Sequence, residues 1–85
     1  MQKIIVTVTD KDHNFFFDME LPTEYPVNKM CPSIVNLLNQ NQSKRVFKVQ
    51  GFVLGSSKKK KIISPERTLE EEGIWNGDYI IVIQK

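Results

Sequence analysis

Hydrophobic residues in this chain follow a period of two, then a helical period, then a period of two again. From Lys3 to Thr9, Ile4, Val6 and Val8 fall on one side and Lys3, Ile5, Thr7 and Thr9 on the other. That is the mark of a half-buried strand. The turn-forming stretch Asp10–Asn14 follows. Phe15, Phe17, Met19 and Leu21 then alternate with Phe16, Asp18 and Glu20. Two alternating runs across a turn predict a β-hairpin, which Pro22 closes.

Val27, Met30, Ile34, Leu37 and Leu38 recur at helical spacing and predict an amphipathic helix, with Pro26 at its first position. Pro32 interrupts it. A proline inside a helix removes a hydrogen bond and clashes with the preceding turn, at about 3 kcal/mol. Either the helix bends there or its regular part begins near Cys31. The apolar stripe runs through the break, which favours one bent helix. Arg45–Leu54 reads as a third strand with a bulge at Gly51. Gly55–Ser57 reads as a loop, and Lys58–Ser64 as a loop ending in a short fourth strand.

In the tail, Thr68 with Glu71 three residues on forms a capping box and implies one helical turn, Leu69–Glu72. Gly73 stands where a left-handed cap is wanted, and Ile74 can pack back on Leu69. Asn76-Gly77-Asp78 makes a second turn. Tyr79–Ile83 is the last strand.

One helix covers one sheet face. The simplest packing lays it across a mixed sheet of four to five strands whose first and last strands lie side by side and parallel. That is an α+β, ubiquitin-like β-grasp arrangement in a single domain, residues 1–85. The expected core is Ile4, Val6, Val8, Phe15, Phe17, Met19, Leu21, Val27, Met30, Ile34, Leu37, Leu38, Phe47, Val49, Leu69, Ile74, Ile80 and Val82.

Composition narrows the class. The chain of 85 residues carries a net charge of +2, too weak to imply a partner by itself. A single cysteine excludes an internal disulfide framework and fits a reducing compartment. No secretory signal pattern stands at the N-terminus, and no apolar run approaches the roughly 20 residues needed to span a bilayer. A soluble intracellular domain without direct membrane insertion is expected.

The segment LPTEYPVNKM, the strand RVFKV and the tail TLEEEGIWNGDYIIV resemble the YukD/EsaB-type ubiquitin-like proteins. The resemblance covers essentially the whole chain. Its most specific parts are Pro26, Val27 and Lys29 at the helix start and Leu69, Gly73, Ile74, Gly77 and Asp78 in the tail. The loop from Gly55 to Lys61 looks longer than the family's, and Pro32 is a second departure. The resemblance implies a small, non-enzymatic, cytoplasmic accessory or regulatory protein of a type VII (WXG100, Esx) secretion system of Gram-positive bacteria. It also implies protein partners among the membrane-embedded or ATPase components of that machinery, and so a place peripheral to the inner face of the cell membrane.

The residues offer little chemistry. Cys31 and His13 are the only ones of their types, and nothing at recognisable spacing orients them as a nucleophile–base pair. Paired ligand spacings for zinc and the four cysteines of an iron–sulfur site are missing, so no cofactor is expected. Conjugation would need an exposed C-terminal Gly-Gly, whereas the sequence closes on Ile83-Gln84-Lys85. The run Lys58, Lys59, Lys60, Lys61, with Lys44, Arg45 and Lys48, could make a basic patch for nucleic acid or an anionic surface. Without interleaved aromatics, a solvated loop that blunts an edge strand is the favoured reading. The nucleic-acid reading remains the alternative.

The sharper expectation is the bare sheet face. If Ile80 and Val82 face the helix, Tyr79, Ile81 and Ile83 face away, beside Ile5, with Phe16 extending the same face. An exposed apolar patch of this kind marks an interaction site. Ile5, Phe16, Lys48, Tyr79, Ile81 and Ile83 are its candidate residues, and self-association through it is left open. Trp75 is either an anchor of the sort enriched in interface hot spots or a lid on the end of the core.

Overall fold

The computed structural model describes residues 2–85. The elements are β1 (Lys3–Asp10), β2 (Phe17–Pro22), α1 (Val27–Asn41), β3 (Phe52–Ser56), β4 (Lys61–Ile62) and β5 (Tyr79–Gln84). They form one five-stranded sheet in the order β2-β1-β5-β3-β4. β1 and β5 lie parallel at its centre, with Val8 opposite Ile80. The other neighbours are antiparallel. Ile4, Val6, Val8, Ile80 and Val82 are buried beneath α1, as the alternation requires.

The hairpin turn is held by Asp10. Its carboxylate accepts the Asn14 backbone N–H at 2.8 Å and the Asn14 side-chain amide at 2.9 Å. Phe15 is buried ahead of β2, and Phe17 is half-buried against the core.

The helix is continuous through Pro32. No side chain caps its start. Instead the Val27 N–H donates to the Arg67 carbonyl and the Asn28 N–H to that of Pro65, each at 2.9 Å. Two orphan donors of the first turn are thereby satisfied from a remote segment. The buried stripe is Val27, Met30, Cys31, Ile34, Val35 and Leu38. Leu37, expected in the core, is exposed. It lies on the flank of the stripe over the open β2 edge, where it lines a surface groove with Phe17 and Met19. Val35, on the opposite flank, is buried in its place.

The third strand begins at Phe52, not Arg45. Two side-chain amides hold the segment before it where a strand would use backbone. Asn39 accepts the Phe47 N–H and donates to its carbonyl, both at 2.9 Å. Gln84 accepts the Lys48 N–H at 2.6 Å and donates to the Gln50 carbonyl at 2.8 Å. Gly51, at φ +79°, turns the chain. The turn inverts the alternation: Phe47, Phe52 and Leu54 are buried, while Val49, expected in the core, is half exposed. β3 also runs on through Gly55 and Ser56, where the small residues suggest a loop.

The capping box is present. Thr68 N–H donates to Glu71 Oε1 at 2.9 Å and Glu71 N–H to Thr68 Oγ1 at 3.1 Å. Gly73, at φ +69°, ends that turn. Its N–H donates to Glu70 and that of Ile74 to Leu69, the paired bonds of a Schellman motif. Leu69 and Ile74 are both fully buried. The turn Trp75–Asp78, with Gly77 at φ +87°, feeds β5 along β1: Gly77 N–H donates to the Ile5 carbonyl and Thr7 N–H to that of Asp78.

Candidate interaction surface

The face of the sheet opposite α1 is built from alternate positions. Strand register sets Thr7 beside Tyr79 and Thr9 beside Ile81. It sets Val53 beside Ile83 and Gly55 beside Ile81. Gly55 also stands opposite Ile62 on β4. Ile5 and Tyr79 are about half exposed, and Ile81, Ile83 and Val53 are half-buried.

The face is not wholly bare. The β1–β2 turn folds over part of it. The Phe16 ring meets Tyr79 edge-on at 6.4 Å, and His13 stacks on Phe16 at 5.7 Å. Thr9, on the outward alternation of β1, is consequently buried. Phe16 itself stays exposed, so the turn adds apolar surface to the face while narrowing it.

What remains open at the centre is a groove of about 390 Å³. Gly55, Ile81 and Ile83 form its floor. Lys11 and His13 of the first turn stand on one wall, and Lys60, Lys61 and Ile62 on the other. Gly55 gives the floor its depth, because it places no side chain between Ile81 and Ile62.

The structure brings Ile5, Phe16, Tyr79, Ile81 and Ile83 onto one face. Lys48 is held by Gln84 at the far end of β5, outside the groove. Trp75, half exposed, stands in the turn beside Ile5, its backbone N–H donating to Asp78 Oδ2 at 2.7 Å. Lys11, His13, Gly55 and Ile62 were not singled out for this surface by sequence. The available signal was a glycine within an apolar run, which marks a close approach as readily as a loop.

The lysine run is divided. Lys58 is drawn onto the tail, 2.9 Å from Asp78 Oδ2 and donating to the Gly73 carbonyl at 2.6 Å. Burial pushes the Asp78 carboxyl up, but the Trp75 N–H and Lys58 outweigh it and hold the group below its usual range. Lys61 stands 4.0 Å from Glu72. Lys48 lies at the opposite end of β5 from Lys58, so the two basic stretches do not merge.

Cys31 is buried on the helix side, where desolvation raises its thiol pKa and so disfavours the nucleophilic thiolate. The sheet separates it from His13. No group of three or more His, Cys, Asp or Glu side chains among the described residues could hold a metal ion. No helix among them is long and apolar enough to cross a membrane.

A five-stranded mixed sheet crossed by one helix, with a helical turn before the last central strand, defines a ubiquitin-like β-grasp protein. Solved structures agree. A Caldiarchaeum subterraneum ubiquitin superposes with a TM-score of 0.75 at 13% identity, covering 99% of this chain and 95% of that one. The ubiquitin-like domain of the Mycobacterium tuberculosis type VII secretion system protein ECCD1 gives 0.76 at 15% identity over 98% and 99% of the two chains. The EccD5 ubiquitin-like domain of Mycobacterium xenopi gives 0.71 at 12% identity over 100% and 99%. Among curated proteins none matches the sequence. Residues 3–82 match the family described as WXG100 protein secretion system (Wss), protein YukD, and the chain belongs to that family.

Proposed function

We propose that this protein is a non-enzymatic ubiquitin-like accessory component of a type VII secretion system, working by non-covalent binding to protein components of the machinery on the cytoplasmic side of the membrane. The observation that carries the reading is the outer sheet face, where Ile5, Phe16 and Tyr79 are exposed around Ile81 and Ile83 in a protein of the YukD family. Membership of that family supports the choice of machinery. So does likeness in fold to parts of chains of the ESX-5 inner membrane complex and the ESX-3 core complex, at 14% and 20% identity, of which this chain covers 21% and 16%. Trp75 borders the surface and extends its contact area, while Lys48 stands apart from it beside Gln84.

The test is capture of secretion components from native cytosol and detergent-solubilised membrane. Ile81→Asp, and separately the gentler Ile5→Lys, should abolish capture while circular dichroism and melting still report a folded domain. Capture unchanged in both folded variants rejects the surface.

A further inference from the structure

The groove on the outer face has a chemistry of its own. Its floor is apolar, but the walls carry Lys11 and His13 on one side and Lys60 and Lys61 on the other, and no carboxylate lines it. Lys61 is partly neutralised by Glu72 at 4.0 Å. Lys11 and Lys60 make no ion pair among the described residues. Two uncompensated cations facing each other across a low-dielectric floor concentrate a positive potential in the cleft.

The backbone points to the same place. Among the described residues, only His13 at φ 56° and Lys60 at φ 54° occupy the left-handed region without being glycine. Both line the groove, one from each turn. Where the chain needs positive φ for other turns it uses Gly51, Gly73 and Gly77. At the groove it keeps a side chain instead. Strained residues of this kind cluster at ligand clamps, and a lysine has no local hydrogen bond to offer that would favour the conformation, as an asparagine has.

We infer that the groove receives a short segment of a protein partner in which an apolar side chain is flanked by aspartate or glutamate. The apolar side chain fills the space above Gly55, between Ile81 and Ile62, and the carboxylates meet Lys11 and Lys60. Nucleic acid and anionic membranes fit less well: both seek a broad cationic surface, whereas here the cations ring a small oily floor and Lys58 is turned away onto Asp78. The inference rests on the reading of the outer face as the protein-binding surface.

A random dodecapeptide library displayed on phage, selected on the immobilised intact protein, tests it. Recovered peptides should carry Leu, Ile, Val, Met or Phe between acidic residues and shift the amide resonances of Gly55 and Ile81. Lys11→Glu/Lys60→Glu should weaken them at least about tenfold, as should raising salt from about 0.05 to about 0.5 M. Gly55→Leu, whose new Cβ would meet only ordinary contacts from 3.6 Å, should block the groove in a folded protein. His13→Gly/Lys60→Gly should also weaken binding without lowering the melting temperature, an outcome that a purely structural role for these residues would not give.

Recovery of neutral or basic peptides, no enrichment over bare support, or binding unaffected by Lys11→Glu/Lys60→Glu overturns the inference. So does a single-stranded oligonucleotide or a phosphatidylglycerol vesicle shifting those amides where peptides do not. If acidic peptides fail while Ile81→Asp still abolishes capture of secretion components, the charge pairing falls and the outer-face reading stands. If Ile81→Asp and Ile5→Lys leave capture intact, the outer-face reading itself falls.

Discussion

Arg67 Nε stands 2.6 Å from Glu72 Oε2, and the Glu72 side chain is only 5% exposed. A carboxylate so far from water depends on its partner. The same arginine donates through a second nitrogen to the Glu71 carbonyl at 3.0 Å, and its own carbonyl caps α1. Arg67→Ala keeps the backbone cap but leaves Glu72 with Lys61 alone. It should destabilise the domain by roughly 3 kcal/mol, while Arg67→Ala/Glu72→Gln should lose clearly less. Urea unfolding of the wild type, both single variants and the pair measures the coupling.

The positive-φ glycines should not be equally sensitive. A Cβ at Gly51 would lie 2.8 Å from the Lys85 carbonyl oxygen, at Gly73 its nearest neighbour is the Lys59 ammonium at 3.6 Å, and at Gly77 nothing lies within 4 Å. Alanine costs about 1–2 kcal/mol at all three from the left-handed backbone alone. Gly51→Ala adds a backbone clash and should be the worst. Thermal melts that ranked Gly51→Ala with or below the other two would contradict the stated contact.

Pro32 is exposed within a continuous helix. It stands outside the buried stripe, and its missing N–H leaves one helical bond unmade. Pro32→Ala should therefore raise stability by about 1–3 kcal/mol, visible as a shifted urea midpoint with an unchanged slope.

Three carboxyl groups have depressed pKa values in the fold. Burial raises that of Asp10, but the bonds from Asn14 and Asp12 and the charge of Arg45 outweigh it. In Glu71 the Thr68 N–H is the main cause, and Asp78 is held down by Trp75 and Lys58. A folded pKa below the unfolded one stabilises above the unfolded value and loses that contribution as pH falls through the folded one. With ordinary values of 3.8 for Asp10 and Asp78 and 4.5 for Glu71, stability should decline from just above pH 4.5 downward. Asp10→Asn should flatten the lower part of that decline in a pH series of urea melts.

Periodicity was a sound guide wherever backbone alternation and burial coincide. β1, the alternation of β2 and the turns from Thr68 to Asp78 were legible in the sequence, because each carries its own local signal, while the stripe of α1 was legible except at its flanks, where Val35 and not Leu37 is buried. Two errors share a cause in side chains that replace backbone. Phe47 is paired by the Asn39 amide rather than by a strand, and Gln84 fastens the segment before Gly51. Nothing in a local window announces such partners 8 or 36 residues away. That Tyr79, Ile81 and Ile83 share the face away from α1 is readable from the unbroken apolar run of the last strand. The roof over that face is not, because the fold-back of His13 and Phe16 over Tyr79 depends on a positive φ at His13 that only the three-dimensional structure reveals.

The parallel contact of β1 with β5 joins residues near the two ends of the chain, Thr7 with Tyr79 and Asp10 with Val82. During synthesis the first strand therefore waits, its inward valines uncovered on one edge, until the segment through Val82 has been made. Polypeptides stopped short of Tyr79 lack the middle of the sheet, so β1 and β3 have no strand to join them.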